Sequence, residues 1–154
     1  MSDAPDRPGR GAVDTAAINV VLRRAESRRV AVLGAGSWGT TFAKVLAEGG
    51  AEVVLWARRP EVAREITETK RNSGYLPGIN LPRTLTASDH LEQVLDGAEQ
   101  VYVSVPSQSL RANLEAVRPL LPAGVPVVSL MKGVEKATGL RMSCLLYTSD
   151  AADE

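Results

Sequence analysis

Three glycines carry the spacing in this sequence that points most directly to chemistry. Gly34, Gly36 and Gly39 stand at Gly-x-Gly-x-x-Gly spacing, between the apolar run over residues 30–33 and a helical pattern. In a strand–turn–helix unit, Gly34 permits the tight turn, Gly36 lets a diphosphate approach the backbone, and Gly39 lets the helix pack closely on the strand. Glycines at this spacing also mark ordinary turns, but the flanking strand and helix favour a dinucleotide site.

Two further residues belong to the predicted start of that helix, Ser37 and Trp38. The first N–H groups of a helix have no partner within the helix, and the positive end of the helix dipole adds to their attraction for an anion. We therefore expect these amides to face the diphosphate. The Trp38 ring either shields the cofactor or packs against the protein, and its position in the sequence leaves both roles open.

The end of the second predicted strand, over residues 53–56, bears on cofactor preference. A site specific for NAD normally has an acidic residue there, which binds the ribose 2′-hydroxyl. This chain has Arg58 and Arg59 instead. Two guanidinium groups can pair with a 2′-phosphate, although arginines beside a proline are also ordinary surface residues. The sequence favours NADP(H) and leaves NAD(H) open.

Two other strand ends carry polar side chains. Lys132 follows the fifth predicted strand and is placed to meet an anion, although a surface lysine would occupy the same position. Ser104 and Ser107 flank Pro106 after the fourth strand and are candidates for the nicotinamide side, while Ser107 is better explained as a helix cap.

The elements that position these residues alternate along the chain. Strands are predicted over residues 30–33, 53–56, 85–87, 101–105 and 127–131, and a breaker-rich loop over 72–82. Four helices are predicted between these strands, the second starting at Pro60 and the third capped by Ser88 or Asp89. The residues expected to face the sheet are, helix by helix, Phe42, Val45 and Leu46; Val62 and Ile66; Leu91, Val94 and Leu95; and Leu110, Leu114 and Val117. This alternation predicts an α/β fold with a Rossmann-type doubly wound parallel sheet.

Composition excludes several classes of function. The chain of 154 residues has 18 basic and 18 acidic residues, which argues against nucleic acid as a partner. No apolar run is long enough for membrane insertion. Cys144 is the one cysteine and His90 the one histidine, which argues against a metal site and a Ser-His-Asp triad. A single cysteine also suits a cytoplasmic location.

The sequence divides into three segments. Residues 1–27 are rich in proline, glycine and charge, which predicts a disordered arm with room for a short helix near Ile18, Val21 and Leu22. Residues 28–143 form the predicted domain. The final stretch is residues 144–154.

Six stretches together resemble the bacterial type of NAD(P)-dependent glycerol-3-phosphate dehydrogenase. They are Val-Ala-Val-Leu-Gly-Ala-Gly-Ser-Trp-Gly-Thr from residue 30, Trp-Ala-Arg-Arg from 56, Asn-Ser-Gly-Tyr-Leu-Pro-Gly-Ile from 72, Val-Ser-Val-Pro-Ser from 103, Lys-Gly-Val-Glu from 132 and Arg-Met-Ser from 141. The glycine motif is shared with many dehydrogenases, whereas Tyr-Leu-Pro-Gly with Lys132-Gly133 downstream is far more specific. The resemblance runs from about residue 28 to residue 143 and covers the first part of such an enzyme only. After residue 143 the family would continue a helix and add strands, so we treat residues 144–154 as foreign to the fold.

That resemblance implies a function and a set of contacts. The family interconverts dihydroxyacetone phosphate and sn-glycerol 3-phosphate by hydride transfer, supplying the backbone of phospholipids. By position, the resemblance implies cofactor contacts at Ser37, Trp38, Arg58, Arg59 and Tyr75, and contacts of Lys132 with both the cofactor and the phosphorylated substrate. The family's catalytic lysine belongs to a later segment, so the chain as given is expected to be an incomplete, C-terminally truncated domain without turnover. A homodimer of the full-length form is left open.

Two alternatives remain at this stage. One is a related two-domain reductase, of the ketopantoate reductase or hydroxyacyl dehydrogenase type; the Tyr75 loop favours the dehydrogenase described above. The other is a non-catalytic dinucleotide-binding module, which would fold cooperatively as a monodisperse chain. A truncated sheet would instead expose apolar surface and tend to aggregate.

Overall fold

Five parallel strands form the centre of the protein. The structure is a computed structural model that describes residues 28–132 and 136–140. The strands are β1 (Arg29–Leu33), β2 (Glu52–Trp56), β3 (Leu85–Ser88), β4 (Gln100–Val103) and β5 (Val127–Ser129). They pair in the order β3-β2-β1-β4-β5, and every pairing is parallel. The strand order therefore reverses at β1, as the prediction of a doubly wound sheet requires.

Helices cover both faces of the sheet. They are α1 (Ser37–Glu48), α2 (Pro60–Thr69), α3 (Leu91–Leu95) and α4 (Leu110–Val117), with 3-10 turns at Ser107–Ser109 and Arg118–Leu120. The predicted first-turn proline of α2 is confirmed at Pro60. The predicted inward residues Val62, Ile66, Leu110, Leu114 and Val117 are all buried.

Alternate residues of β1 separate the core into two layers. Val30 and Val32 belong to the layer beneath α1 and α2, and Ala31 and Leu33 belong to the layer beneath α3 and α4. All four are almost fully buried. A strand covered on both faces needs a continuous apolar run, which is why this one shows no polar alternation.

The predicted inward face of α1 is wrong at Val45, which is 58% exposed, and right at Leu46, which packs against the core. The residues that the helix buries fully are small ones, Gly39, Thr40, Ala43 and Ala47. Small side chains allow the helix backbone to approach the sheet closely, and close packing of this kind is what the third glycine of the motif permits. Phe42 is partly buried, and its ring centroid lies 5.0 Å from that of Tyr102 on β4.

Several predicted boundaries also shift. Ser107 does not cap α4, because a 3-10 turn intervenes and Ser109 takes the N-cap position. His90 rather than Ser88 or Asp89 precedes α3, and the Ser88 hydroxyl accepts the His90 N–H at 3.1 Å. β4 and β5 end before residues 105 and 131. Pro106 offers no N–H to a ladder, and the Met131 N–H is taken by the Ser129 hydroxyl at 3.2 Å.

Other predictions lie outside the described residues. They are the arm over residues 1–27 with its short helix, and the tail over 144–154. Among the helices that the structure does describe, none is long and apolar enough to cross a membrane.

Replacing Gly34 by alanine is expected to destabilise the protein strongly. Gly34 has φ +117°, and a Cβ there would lie 2.2 Å from the Ser104 carbonyl oxygen. Backbone strain and steric overlap together should lower the free energy of unfolding by about 2 kcal/mol or more, measured by urea denaturation. Gly78→Ala is the matched control, because Gly78 has φ +75° but open space around the added methyl. Equal losses in the two variants would contradict this account.

Candidate functional site

A cleft opens at the carboxyl end of β1, where the strand order reverses. Its volume is about 440 Å³, within the range of small-molecule sites. The lining comes from the glycine turn, the ends of β2 and β4, the loop that follows α2, and the start of α4. The lining residues are Gly34, Ala35, Gly36, Ser37, Trp38, Gly39, Trp56, Ala57, Arg58, Arg59, Val62, Tyr75, Ser104, Val105, Pro106, Ser109 and Asn113.

The three glycines of the turn have different surroundings. An added Cβ at Gly34 would lie 2.2 Å from the Ser104 carbonyl oxygen, and one at Gly39 would lie 2.0 Å from the Gly34 carbonyl oxygen. Both positions are closed by the protein's own backbone. Gly36 differs, because its Cβ would meet nothing within 4 Å. Gly36 is therefore the glycine whose missing side chain leaves open space.

The first turn of α1 presents N–H groups to this cleft. Gly36 is the N-cap residue, and the first helical bond runs from the Thr40 N–H to the Gly36 carbonyl at 3.0 Å. The amides of Ser37, Trp38 and Gly39 precede that bond, so the helix supplies them no acceptor. No acidic residue lies in this first turn to offset the positive end of the helix. The arrangement fits a bound diphosphate.

Two arginines stand on the β2 side of the cleft. Arg58 and Arg59 are both exposed and line its wall. The Arg59 Nε donates to the Glu61 carboxylate at 3.1 Å, whereas Arg58 forms no ion pair within the described part of the chain. A guanidinium at this edge can bind a phosphate through two parallel hydrogen bonds.

Two aromatic side chains lie at the mouth of the cleft. Trp38 is 59% exposed and Tyr75 is 45% exposed, and both line the cavity. The Ser37 hydroxyl donates to the Tyr75 carbonyl at 2.8 Å. This bond ties the loop carrying Tyr75 to the start of α1, so the loop forms a wall of the cleft.

The same loop is supported from α2. The Glu65 carboxylate accepts the Ser73 N–H at 3.0 Å. Hydrogen bonds from the Ser73 side chain and then from its backbone hold the pKa of Glu65 below its ordinary value of 4.5. At the other end of the loop the Lys70 carbonyl accepts the Leu81 N–H at 2.7 Å. The Lys70 ammonium donates to the Leu85 carbonyl at 2.8 Å, and partial burial lowers its pKa.

The structure brings most of the predicted site residues together but not all of them. Gly34, Gly36, Ser37, Trp38, Gly39, Arg58, Arg59 and Tyr75 share one cleft. Lys132 does not line it; it is exposed, three residues beyond the end of β5. Two strand spacings separate β5 from β1, roughly 10 Å, so Lys132 belongs to the far side of the same sheet edge. Ser104 lines the cleft and Ser107 does not.

Sequence patterns did not single out several residues that build this cleft. Asn113 and Ser109 of the α4 region line it, and Asn72 is buried behind it. Asn72 stood among turn-forming residues, where an asparagine is usually explained by the turn itself. Its place at the start of the Tyr75 loop was the only available signal.

Comparison with known proteins decides the family. A family model described as the N-terminus of NAD-dependent glycerol-3-phosphate dehydrogenase matches residues 29–149. The chain belongs to this family. It is 68% identical over 112 residues to the glycerol-3-phosphate dehydrogenase (NAD(P)+) of Leifsonia xyli subsp. xyli, a match covering 73% of this chain and 30% of the relative. A Mycobacterium tuberculosis relative of the same name, numbered 2, is 52% identical over 124 residues, covering 80% and 37%.

Solved structures agree with this assignment. The glycerol-3-phosphate dehydrogenase of Coxiella burnetii superposes with a TM-score of 0.75 at 32% identity, covering 80% of this chain and 38% of that one. A ketopantoate reductase from Ralstonia eutropha gives a TM-score of 0.56 at 30% identity, covering 73% and 37%. The dehydrogenase rather than the alternative reductase is therefore the better match. The chain spans about a third of the length of the curated relatives it matches.

The Glu65–Ser73 contact makes the support of the Tyr75 loop dependent on pH. Because the folded pKa of Glu65 is lowered, this contact stabilises the fold above the ordinary value of 4.5 and is lost as the pH falls through the folded pKa. In an NMR titration we expect the Glu65 carboxyl resonance to show its inflection below 4.5. Ser73→Ala removes the hydroxyl and should move the inflection upward. A wild-type inflection at or above 4.5 would refute the effect.

Proposed function

We propose that this chain is the dinucleotide-binding part of an enzyme that interconverts dihydroxyacetone phosphate and sn-glycerol 3-phosphate with NADPH or NADH, and so serves glycerophospholipid synthesis. Residues 28–143 are the proposed binding domain, and residues 144–154 are proposed to lie outside it. The family to which the chain belongs and the shape of the cleft support this proposal.

The observation that carries the proposal is the open space at Gly36 beside unpartnered helix amides. Of the three motif glycines, Gly36 alone has room for an approaching group. The amides of Ser37 and Trp38 precede the first helical hydrogen bond. In the proposed complex these N–H groups bind the diphosphate, and Trp38 and Tyr75 flank the bound molecule at the mouth of the cleft.

Lys132 is proposed to contact the substrate. It follows β5 at the same sheet edge as the cleft and is exposed. A dianionic phosphorylated substrate needs a cation near the nicotinamide, and an ammonium group on a flexible stem can reach it. The lysine that handles the alcohol proton is expected in a later segment of the longer protein.

In this proposal the cofactor supplies hydride transfer, and the residues of this chain bind and orient it. The glycine turn fixes the diphosphate, and the β2 end fixes the adenosine ribose. The ends of β4 and β5 then face the substrate side. We expect the 154-residue chain alone to bind NADPH weakly and to show no turnover.

A Gly36→Val variant tests the diphosphate site. Gly36 has φ −74°, which any residue adopts, and an added Cβ meets nothing within 4 Å, so the fold should be kept. The branched side chain would occupy the diphosphate position, and we expect the NADPH dissociation constant to rise by tenfold or more, about 1.4 kcal/mol. Isothermal titration gives the constant, and a thermal melt reports the fold.

Gly36→Ala is the graded control, with an intermediate loss expected from its smaller side chain. Undiminished NADPH binding by the folded valine variant would overturn the proposed site. Detectable reduction of dihydroxyacetone phosphate by the wild-type chain would contradict the proposed absence of turnover.

A second variant tests cofactor discrimination. Arg58→Ser removes a guanidinium that lines the cleft and has no ion-pair partner among the described residues. A charge-assisted bond to phosphate contributes about 1.5–3 kcal/mol, so the NADPH dissociation constant should rise about tenfold or more. The NADH constant should change less than about twofold, since NADH lacks the 2′-phosphate.

Arg83→Ser is the matched control, because Arg83 is exposed and does not line the cleft. It should leave both dissociation constants unchanged. Equal weakening of NADPH and NADH binding by Arg58→Ser would show that Arg58 does not read the 2′-phosphate.

A further inference from the structure

Asn72 is buried in a loop whose other residues are largely exposed. Asn72 is 1% exposed, whereas Ser73, Gly74 and Tyr75 are all exposed. Burying an amide costs free energy unless it is hydrogen bonded. The Asn72 Oδ1 is buried without a hydrogen-bond partner among the described residues, so the bonds donated by its Nδ2 are what hold the side chain inside.

The Asn72 side chain makes one hydrogen bond to the glycine turn and one to the start of α1. Its Nδ2 donates to the Ala35 carbonyl at 3.0 Å and to the Thr40 hydroxyl at 2.9 Å. The Ala35 carbonyl oxygen can only accept a hydrogen bond, so the Asn72 side-chain amide must turn its nitrogen, and not its oxygen, toward Ala35. Ala35 lies inside the turn and Thr40 in the first turns of α1, fully buried. One amide group thus bridges the glycine turn and the start of α1.

The backbone of Asn72 shapes the loop on the other side. Its carbonyl accepts the Leu76 N–H at 2.7 Å and the Tyr75 N–H at 3.3 Å. Asn72 and Leu76 also form an isolated antiparallel bridge. Tyr75 therefore sits on a small turn that has Asn72 at its base, and the Ser37 hydroxyl holds that turn at its far end.

We infer that Asn72 is a positioning residue for dinucleotide binding, which fastens the Tyr75 loop to the glycine turn. Asn72 does not line the cleft, so it acts through Tyr75 rather than by touching the cofactor. The inference rests on the proposed function for the identity of the ligand. It adds a residue that sets the distance between the two walls of the cleft.

A double-mutant cycle separates this role from general stabilisation. Asn72→Leu keeps the branched shape and the number of side-chain heavy atoms but cannot donate to Ala35 or Thr40. With Tyr75 present, we expect the NADPH dissociation constant of the full chain to rise about tenfold, and with Tyr75→Ala to rise less than about twofold. Equal effects in the two backgrounds would show that Asn72 does not act through Tyr75 and would overturn the inference.

Limited trypsin digestion gives a readout that needs no ligand. The bond after Arg71 enters the loop, where the Arg71 Nε donates to the Asn80 side chain at 3.1 Å. Releasing the loop should speed cleavage after Arg71 about tenfold, while cleavage after exposed Arg83 serves as the internal control. Unchanged cleavage after Arg71 would contradict the tether.

A second variant covers the case in which Asn72→Leu does not fold. Thr40→Val keeps the shape of a residue that is fully buried and lies outside the cleft lining, while removing one acceptor of the Asn72 amide. It should raise the NADPH dissociation constant and speed cleavage after Arg71, each about threefold. If the wild-type chain binds no NADPH, the proposed function fails. The trypsin digestion then still tests whether Asn72 holds the Tyr75 loop, because it needs no ligand.

Discussion

The close passage of Gly34 beneath the backbone of Ser104 is the constraint on which the rest of the structure depends. The chain leaves β1 between its two neighbouring strands. Only glycine fits at position 34, because a Cβ there would lie 2.2 Å from the Ser104 carbonyl oxygen. Hydrogen bonds from the Gly34 N–H to the Trp56 carbonyl and from the Ser104 N–H to the Leu33 carbonyl hold β2 and β4 against this turn. Because the turn is this tight, α1 begins directly above the sheet edge, with its first amides facing the cleft.

The charges and side chains around the cleft follow from that geometry. The β2 end brings Arg58 and Arg59 to one wall, and the loop after α2 brings Tyr75 to the mouth. The loop has no regular structure of its own, so its position is fixed by individual bonds from Ser37 and Asn72. The rigid sheet therefore sets the glycine-turn end of the cleft, and a tethered loop sets its entrance.

Sequence alone predicted those features that depend on local patterns. Continuous apolar runs predicted the buried strands, and the glycine spacing predicted the position of the turn. The inward face of α1 was mispredicted at Val45, because the helix lies so close to the sheet that small residues such as Ala43 and Ala47 fill its buried face. The part played by Asn72 was not predictable, since its two acceptors lie more than thirty positions away in sequence and only the fold brings them together. For the same reason, the pattern placed Lys132 at a strand end without showing that β5 lies beyond the wall of the cleft.

The most direct test is a ¹H–¹⁵N NMR titration of the labelled chain with NADPH. We expect the backbone amides of Ser37 and Trp38 to shift most, because they are the proposed diphosphate contacts. The amides of α3, which pack on the opposite part of the sheet, should not move. Largest shifts in α3, or in any segment away from the glycine turn, would show that the diphosphate does not bind at the start of α1.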